Sequence, residues 1–236
     1  MYKKFSFLSI IIARSGSKGL KNKNIIDLNG KPLVQWTVEA SKKSRIIDYT
    51  LVSTDSNKII NLSKRLKVSA PFKRPKHLCS SSAPISKVIK HTIDWLKINT
   101  KKRFDFLILL QPTSPLRDSK DIDNAIKYYF RNSKTLSETM ISVCEAPKKV
   151  GWIMTKKKKY VSFALEKTRM KNTHMRQKME KYFLPNGAIY FCNINKFKGS
   201  FYSKKTFFYE MGLEKSVDID NKSDYHNAKK IMKKVK

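Results

Sequence analysis

The sequence predicts an α/β fold, a mostly parallel sheet with helices on both faces. Three observations carry this expectation. Phe7, Leu8, Ile10, Ile11 and Ile12 make a nearly unbroken apolar run, the pattern of a central parallel strand covered on both sides. Strand-like and helix-like segments then alternate as far as Val143. The first strand also runs straight into a loop of two glycines and two cations, Ala13-Arg14-Ser15-Gly16-Ser17-Lys18-Gly19. That loop falls at the carboxyl end of the strand, where open α/β sheets bind nucleotides.

Within the loop, Gly16 and Gly19 let backbone come close to a ligand, and Arg14 and Lys18 bring charge for phosphate oxygens. Taken alone, it also reads as an ordinary βα turn with two surface cations. It lacks the third glycine of the dinucleotide motif, and Gly30-Lys31 is followed by Pro32 rather than the Ser or Thr of a P-loop. Pro32 suits the first turn of a helix, whose inner face is Leu33, Trp36, Thr37 and Ala40. Tyr49 to Ser53 reads as the second strand. Asp55 reads as the cap of a helix with Ile59, Leu62, Ser63 and Leu66 inward. A polar loop from Pro71 to Pro84 precedes a helix that buries Ile85, Val88, Ile89, Thr92 and Leu96. Phe104 to Leu110 is the third strand, closed by Gln111-Pro112-Thr113-Ser114-Pro115. Asp121 to Phe130 is expected as a helix facing inward through Ile122, Ala125, Ile126 and Tyr129, and Thr139 to Val143 as the fourth strand. From Glu145 to Lys181 periodicity fails and charge is high, which suits an insertion or an arm packing on another subunit. Gly187 to Cys192 restores an apolar strand. The chain closes on an amphipathic helix with Tyr225, Ala228, Ile231, Met232 and Val235 on one side.

The 236 residues, 40% of them hydrophobic, suit one domain with or without an arm. No segment approaches the ~20 apolar residues that cross a bilayer. Lys3 and Lys4 precede the first apolar run, but no small-residue cleavage site follows, so a cytoplasmic location is expected. Cys79, Cys144 and Cys192 stand in no metal-ligand spacing and read as small buried residues. The net charge of +33 attracts polyanions. Lysine is nevertheless spread along the whole chain, and its dense spots are not interleaved with the aromatic residues of a single-strand groove. Nucleic-acid binding is therefore the weaker reading, and the charge suits nucleotides and acidic sugars.

Asp218-Ile219-Asp220 is the clearest carboxylate pair. In extended backbone the two acids share a side and can hold Mg²⁺, which favours hard oxygen ligands and bound phosphates. The same pattern fits an exposed strand end or an acid-rich helix start. Asp121 and Asp123 read as first-turn helix acids. Arg74-Pro75 lies in a polar loop, as a contact to a base or phosphate or as a solvated arginine. Gln111 ends the third strand at the sheet edge that carries the glycine loop, which favours a ligand contact. Asn186-Gly187 is a turn before a strand or offers the Asn186 amide to a sugar. The four histidines are scattered, with no serine-histidine-carboxylate constellation.

Taken in order, several blocks resemble one family along nearly the whole chain. They are Ile12 to Gly19, Lys23-Asn24-Ile25, Gly30-Lys31-Pro32-Leu33, Trp36-Thr37, Val52-Ser53-Thr54-Asp55 and Arg74-Pro75. Gln111-Pro112-Thr113-Ser114-Pro115-Leu116-Arg117, Asn186-Gly187-Ala188-Ile189-Tyr190 and Ser216-Val217-Asp218-Ile219-Asp220 complete the set. The resemblance is to the cytidylyltransferases that activate sialic acids, the CMP-N-acylneuraminate synthetases. It implies a single nucleotidyltransferase-type domain over residues 1–236, with a dimerisation arm within 145–181 and a homodimeric assembly. The implied reaction transfers CMP from CTP to the anomeric hydroxyl of a nonulosonic acid and releases pyrophosphate, with Mg²⁺ as cofactor. A relative acting on Kdo-type sugars, or using another nucleotide, is the near alternative.

Carried over by motif, Arg14 and Lys18 are the catalytic cations. Arg14, Gly16, Ser17, Lys18, Asn24 and Arg74 form the nucleotide site. Gln111, Lys149, Arg176, Asn186 and Tyr190 form the sugar site, with Arg176 reaching in from a partner subunit, and Asp218 and Asp220 carry the metal. Two departures stand out: Ser15 where the family usually has glycine, and Ser81 where an acid commonly lies. Phe201 and Tyr202 fall near a family aromatic pair that packs on the sugar's acyl group.

Overall fold

The structure, a computed structural model, describes residues 2–17, 19–157, 160–164 and 181–234. Its strands are β1 (Phe7–Ile12), β2 (Asp27–Leu28), β3 (Lys31–Pro32), β4 (Tyr49–Ser53), β5 (Phe106–Leu110), β6 (Thr139–Glu145), β7 (Met154–Lys157), β8 (Tyr160–Phe163), β9 (Phe183–Asn193) and β10 (Phe207–Glu210). The helices are α1 (Leu33–Lys43), α2 (Asn57–Arg65), α3 (Ile85–Thr100), α4 (Ser119–Asn132) and α5 (Lys222–Lys234).

Six strands form one sheet in the order β10-β6-β9-β5-β1-β4. β1 lies parallel to both β4 and β5, with Ile10 opposite Leu51 on one side and Leu109 on the other. β10 lies parallel to β6. β9 alone runs antiparallel, between β5 and β6. The chain leaves β1 through α1 to reach β4, then returns through α2 and α3 to β5 on the other side of β1. The strand order therefore reverses at the carboxyl ends of β1 and β5, which opens a crevice there.

Alternation along β1 explains its apolar run. Phe7 and Ile11 pack on one face with Val34 and Val38 of α1, Ile59 of α2, and Ile122, Ile126 and Tyr129 of α4. Leu8 and Ile10 pack on the opposite face with Ile89 and Leu96 of α3 and with Phe201. A third cluster joins Leu33 of α1 to Ile219 and to Ala228 of α5.

Four details differ from the sequence reading. Asp55 does not cap α2; Ser56 does, its hydroxyl accepting from the Ile59 N–H, because the Asp55 carboxylate is engaged by Ser15. α4 starts earlier than Asp121, because Asp118 and Asp121 form a reciprocal capping box. Ile85, expected inward, is 43% exposed at the first position of α3. Of the segment 145–181, residues 154–157 and 160–163 pair as antiparallel strands, β7 with β8. Most of the remainder, like Val235 of the closing helix, lies outside the described residues.

Candidate active site

The crevice at the switch point has a volume of about 230 Å³. Arg14, Gly16 and Ser17 line it from the loop after β1, and Lys23 and Asn24 from the short turn Lys23–Ile25. Arg74, Leu78, Ser80 and Ser81 line it from the loop before α3, and Gln111, Pro112 and Thr113 from the end of β5. Six of the residues expected to bind ligand, Arg14, Gly16, Ser17, Asn24, Arg74 and Gln111, therefore face one space.

Asn24 and Arg74 are held by backbone at the strand ends. Asn24 is 8% exposed, and its Nδ2 donates to the Arg14 carbonyl at 2.8 Å. Arg74, 3% exposed, donates from its backbone N–H to the Thr54 carbonyl at 2.8 Å. Its guanidinium donates to the Ser53 hydroxyl and carbonyl, so it rests on the end of β4. Burial pushes the Arg74 guanidinium pKa down, opposed by the neighbouring Cys79 and Asp55.

Behind Gln111 stands the wholly buried Arg117. Its Nη2 donates to Thr37 Oγ1 at 2.8 Å and to the Gln111 carbonyl at 3.3 Å. Burial pushes Arg117 down to about 10, against the pull of Asp121 and Asp118. On the open side, Gly187 adopts φ +72°, and a methyl there would sit 2.9 Å from Gln111 Oε1 and 3.4 Å from Asp218 Oδ2. Glycine is thus required at 187 both for its backbone angle and for this close approach.

The acidic segment comes to the same place. The Ile219 N–H donates to the Thr113 carbonyl at 2.8 Å, which ties Asp218 and Asp220 to the loop after β5. Asp218 Oδ1 is buried without a hydrogen-bond partner. Burial raises the Asp218 carboxyl above its ordinary range; Thr113 opposes this, and the charge of Asp220 adds to it. Asp220 is exposed, and its Oδ1 pairs with Lys23 Nζ at 2.8 Å. A methyl on Gly19 would overlap the Asp220 carbonyl oxygen, so the glycine loop and the acidic segment are in direct contact. An orphaned buried carboxylate oxygen beside a second acid suits a hard cation. Among the described residues no cluster of three candidate protein metal ligands forms.

Other expected site residues are placed differently. Asn186, expected to offer its amide to a sugar, is 3% exposed and spends both ends on the protein. Its Oδ1 accepts from the Ser142 hydroxyl at 2.5 Å and the Ala188 N–H at 3.2 Å, and its Nδ2 donates to Ser216 Oγ at 2.9 Å. Ser142 stands where the β6–β9 register shifts, and Asn186 closes that irregularity while anchoring, through Ser216, the segment leading to Asp218. Asn186→Ala is expected to cost ~2–4 kcal/mol in chemical denaturation, because it strands buried donors and acceptors; a loss below about 0.5 kcal/mol would contradict this role.

Lys149 is exposed on the turn Lys148–Trp152 and does not line the crevice. Tyr190 packs on Phe201 with ring centres 5.2 Å apart, and burial together with Tyr202 raises its hydroxyl pKa. Phe201 is buried in the core, whereas Tyr202 is 55% exposed. Lys18 and Arg176 lie outside the described residues. Lys23 was given no role by sequence reasoning, yet it lines the crevice and holds Asp220. Its signal was its place beside Asn24 in a block carried by the resemblance, hidden among many other lysines.

A cationic glycine loop and an acidic pair meeting at a switch point define a nucleotidyltransferase-type α/β protein. Comparison with known proteins bears on which kind. The family model described as cytidylyltransferase matches residues 8–235. An N-acylneuraminate cytidylyltransferase of Escherichia coli O18:K1:H7 (strain RS218 / NMEC) is 33% identical, over 96% of this chain and 52% of its own length. A CMP-N,N'-diacetyllegionaminic acid synthase of Legionella pneumophila subsp. pneumophila (strain Philadelphia 1) is 28% identical over 95% of both chains. A solved structure of CMP:2-keto-3-deoxy-manno-octonic acid synthetase complexed with CTP aligns with TM-score 0.71 and 14% identity, covering 98% of this chain and 100% of that one; at that identity the likeness speaks for the fold. The chain belongs to the cytidylyltransferase family. It spans about half the length of the curated N-acylneuraminate relatives it matches. Among the described residues, no helix is long and apolar enough to cross a membrane.

Proposed function

We propose that the protein transfers CMP from CTP to the anomeric hydroxyl of a nonulosonic acid, releasing pyrophosphate. The observation that carries this reading is the contact between the glycine loop and the Asp218–Asp220 segment, which is tied to the crevice by Lys23 and Thr113 of its lining. The names of the N-acylneuraminate and diacetyllegionaminate relatives support the sugar class over Kdo-type acids.

In this reading Arg14, Lys18 and Lys23 hold the triphosphate. Attack of the sugar hydroxyl on the α-phosphorus gathers negative charge on phosphate oxygens, and cations already fixed there stabilise it without reorganising. Asn24 and Arg74 face ribose and base, with Ser80 and Ser81 on the same wall. Gln111 and Tyr190 meet the sugar, joined by Arg176 of a second subunit as a planar fork for its carboxylate. Asn186 serves as a strut. Asp218 and Asp220 would hold Mg²⁺, which supplies charge neutralisation on the phosphates and a lowered pKa for the attacking hydroxyl. A homodimer follows from the role given to Arg176, and CTP as co-substrate implies a cytoplasmic location.

The test is pyrophosphate release with CTP and a panel of N-acetylneuraminate, legionaminate, pseudaminate and Kdo, with the CMP-sugar identified by mass. Turnover is expected with a nine-carbon acid and not with Kdo. No release with any nine-carbon acid would overturn the proposal, and a purely monomeric sedimentation profile would remove the partner's arginine from it.

A further inference from the structure

The loop after β1 is held by a side-chain clasp to the loop after β4. The Ser15 N–H donates to Asp55 Oδ1 at 2.7 Å, and the Ser15 hydroxyl donates to Asp55 Oδ2 at 2.6 Å. β1 and β4 are parallel neighbours as far as Ile12 and Ser53, and the Ala13 N–H still donates to the Ser53 carbonyl at 3.0 Å. The clasp continues this ladder past the strand ends, using side chain where backbone pairing stops. Burial pushes the Asp55 carboxyl up, and the two bonds from Ser15, helped by Arg74, outweigh it and hold the group below the ordinary range. Asp55 is thereby kept ionised, with both oxygens committed.

We infer that Asp55 is a positioning residue for the nucleotide phosphates, acting through Ser15; this rests on the function proposed above. Three consequences follow from the geometry. The Ser15 N–H is turned toward Asp55 and withdrawn from the phosphate-facing set, which leaves Gly16 and Ser17 to present themselves to the crevice. A methyl at Gly16 would meet nothing within 4 Å, so the loop is open on the side a ligand enters and the clasp is its restraint on the other. Finally, an acid close to a triphosphate would repel it if its charge were free. Two hydrogen bonds and the neighbouring Arg74 offset that charge, so Asp55 can fix the loop without excluding the ligand. The serine that departs from the usual glycine thus has a partner and a task.

The experiment compares the full chain with Asp55→Ala, Ser15→Ala and the conservative Ser15→Thr. Hydrogen exchange in the ligand-free protein reads the clasp itself. Amides of residues 13–17 are expected to exchange faster in Asp55→Ala, less so in Ser15→Ala, and at the wild-type rate in Ser15→Thr, which keeps the hydroxyl, while the strand amides of β1 keep their protection. Calorimetric titration with CTP then reads its use. Affinity is expected to fall ~10- to 100-fold in Asp55→Ala, as for loss of charge-assisted bonds, and less in Ser15→Ala, which keeps the backbone bond. KM for the sugar and the thermal midpoint should hardly move. Unchanged exchange in Asp55→Ala overturns the clasp, and faster exchange with unchanged CTP affinity overturns its positioning role. Failure of the wild-type chain to bind CTP overturns the proposed function instead, with the exchange result still deciding the clasp.

Discussion

Gly19→Ala is expected to lower kcat/KM for CTP at least ~100-fold while the thermal midpoint stays near that of the wild type. The added methyl meets the Asp220 carbonyl oxygen, which is backbone and cannot swing away as a side chain would. Either the glycine loop lifts or the Asp218–Asp220 segment retreats, and both motions separate the cations from the acids. A displacement near 1 Å at a reacting centre commonly costs ~10²-fold. Stability is spared because Gly19 is exposed and Asp220 lies at the rim, whereas the core packs beneath. Steady-state pyrophosphate release and a melting curve on the same preparation check this. Full turnover in the variant would show that the contact is incidental to catalysis.

Asp218→Asn should act on activity and stability in opposite directions. Its carboxyl sits above the ordinary range, chiefly because burial penalises the ionised form, and its Oδ1 has no hydrogen-bond partner. A group raised in the folded state favours folding below its unfolded pKa, and that contribution is lost as pH rises through the folded value. At neutral pH the wild-type fold therefore carries a half-buried charge, only partly compensated by Thr113 and Lys23, that the amide variant lacks. The variant is expected to melt higher than the wild type near neutral pH, with the gap closing as the pH falls and Asp218 takes up its proton. Turnover should fall ~10³-fold if Asp218 holds the metal as proposed above, since an amide cannot replace an anionic oxygen donor to it. Melting curves at several pH values test the first half, and initial rates test the second. A variant that melts lower at neutral pH would mean that Asp218 finds its compensation inside the protein.

Much of the architecture was legible because burial on both faces leaves a plain mark. The Phe7 to Ile12 run, the inward stripes of α1, α3 and α4, and the loop endings after β1 and β5 follow from spacing alone. The direction of β9 was not legible. An apolar run says nothing about polarity, and only its partners β5 and β6 reveal it as antiparallel. The site was read at the level of loops and misread at individual side chains. Asn186-Gly187 reads locally as a turn, whereas β9 runs through both residues, and the need for an amide at the β6 irregularity arises from Ser142, 44 residues away. Asp55 precedes a helix, so capping was the local expectation, yet its partner is Ser15 on the neighbouring strand's loop. In each case the deciding contact is distant in sequence, and local propensity cannot anticipate it.

The placement of β9 also bears on how the chain is made. β5 and β6 are consecutive in sequence, yet one strand's width keeps them apart, an interval of about 10 Å between their axes. While synthesis proceeds, that slot stays empty until Asn193 has left the ribosome, with rows of unpaired amides and apolar side chains facing it. Stalling before β9 emerges should leave a species that aggregates readily, whereas release after it should let the two halves zip together around the late arrival.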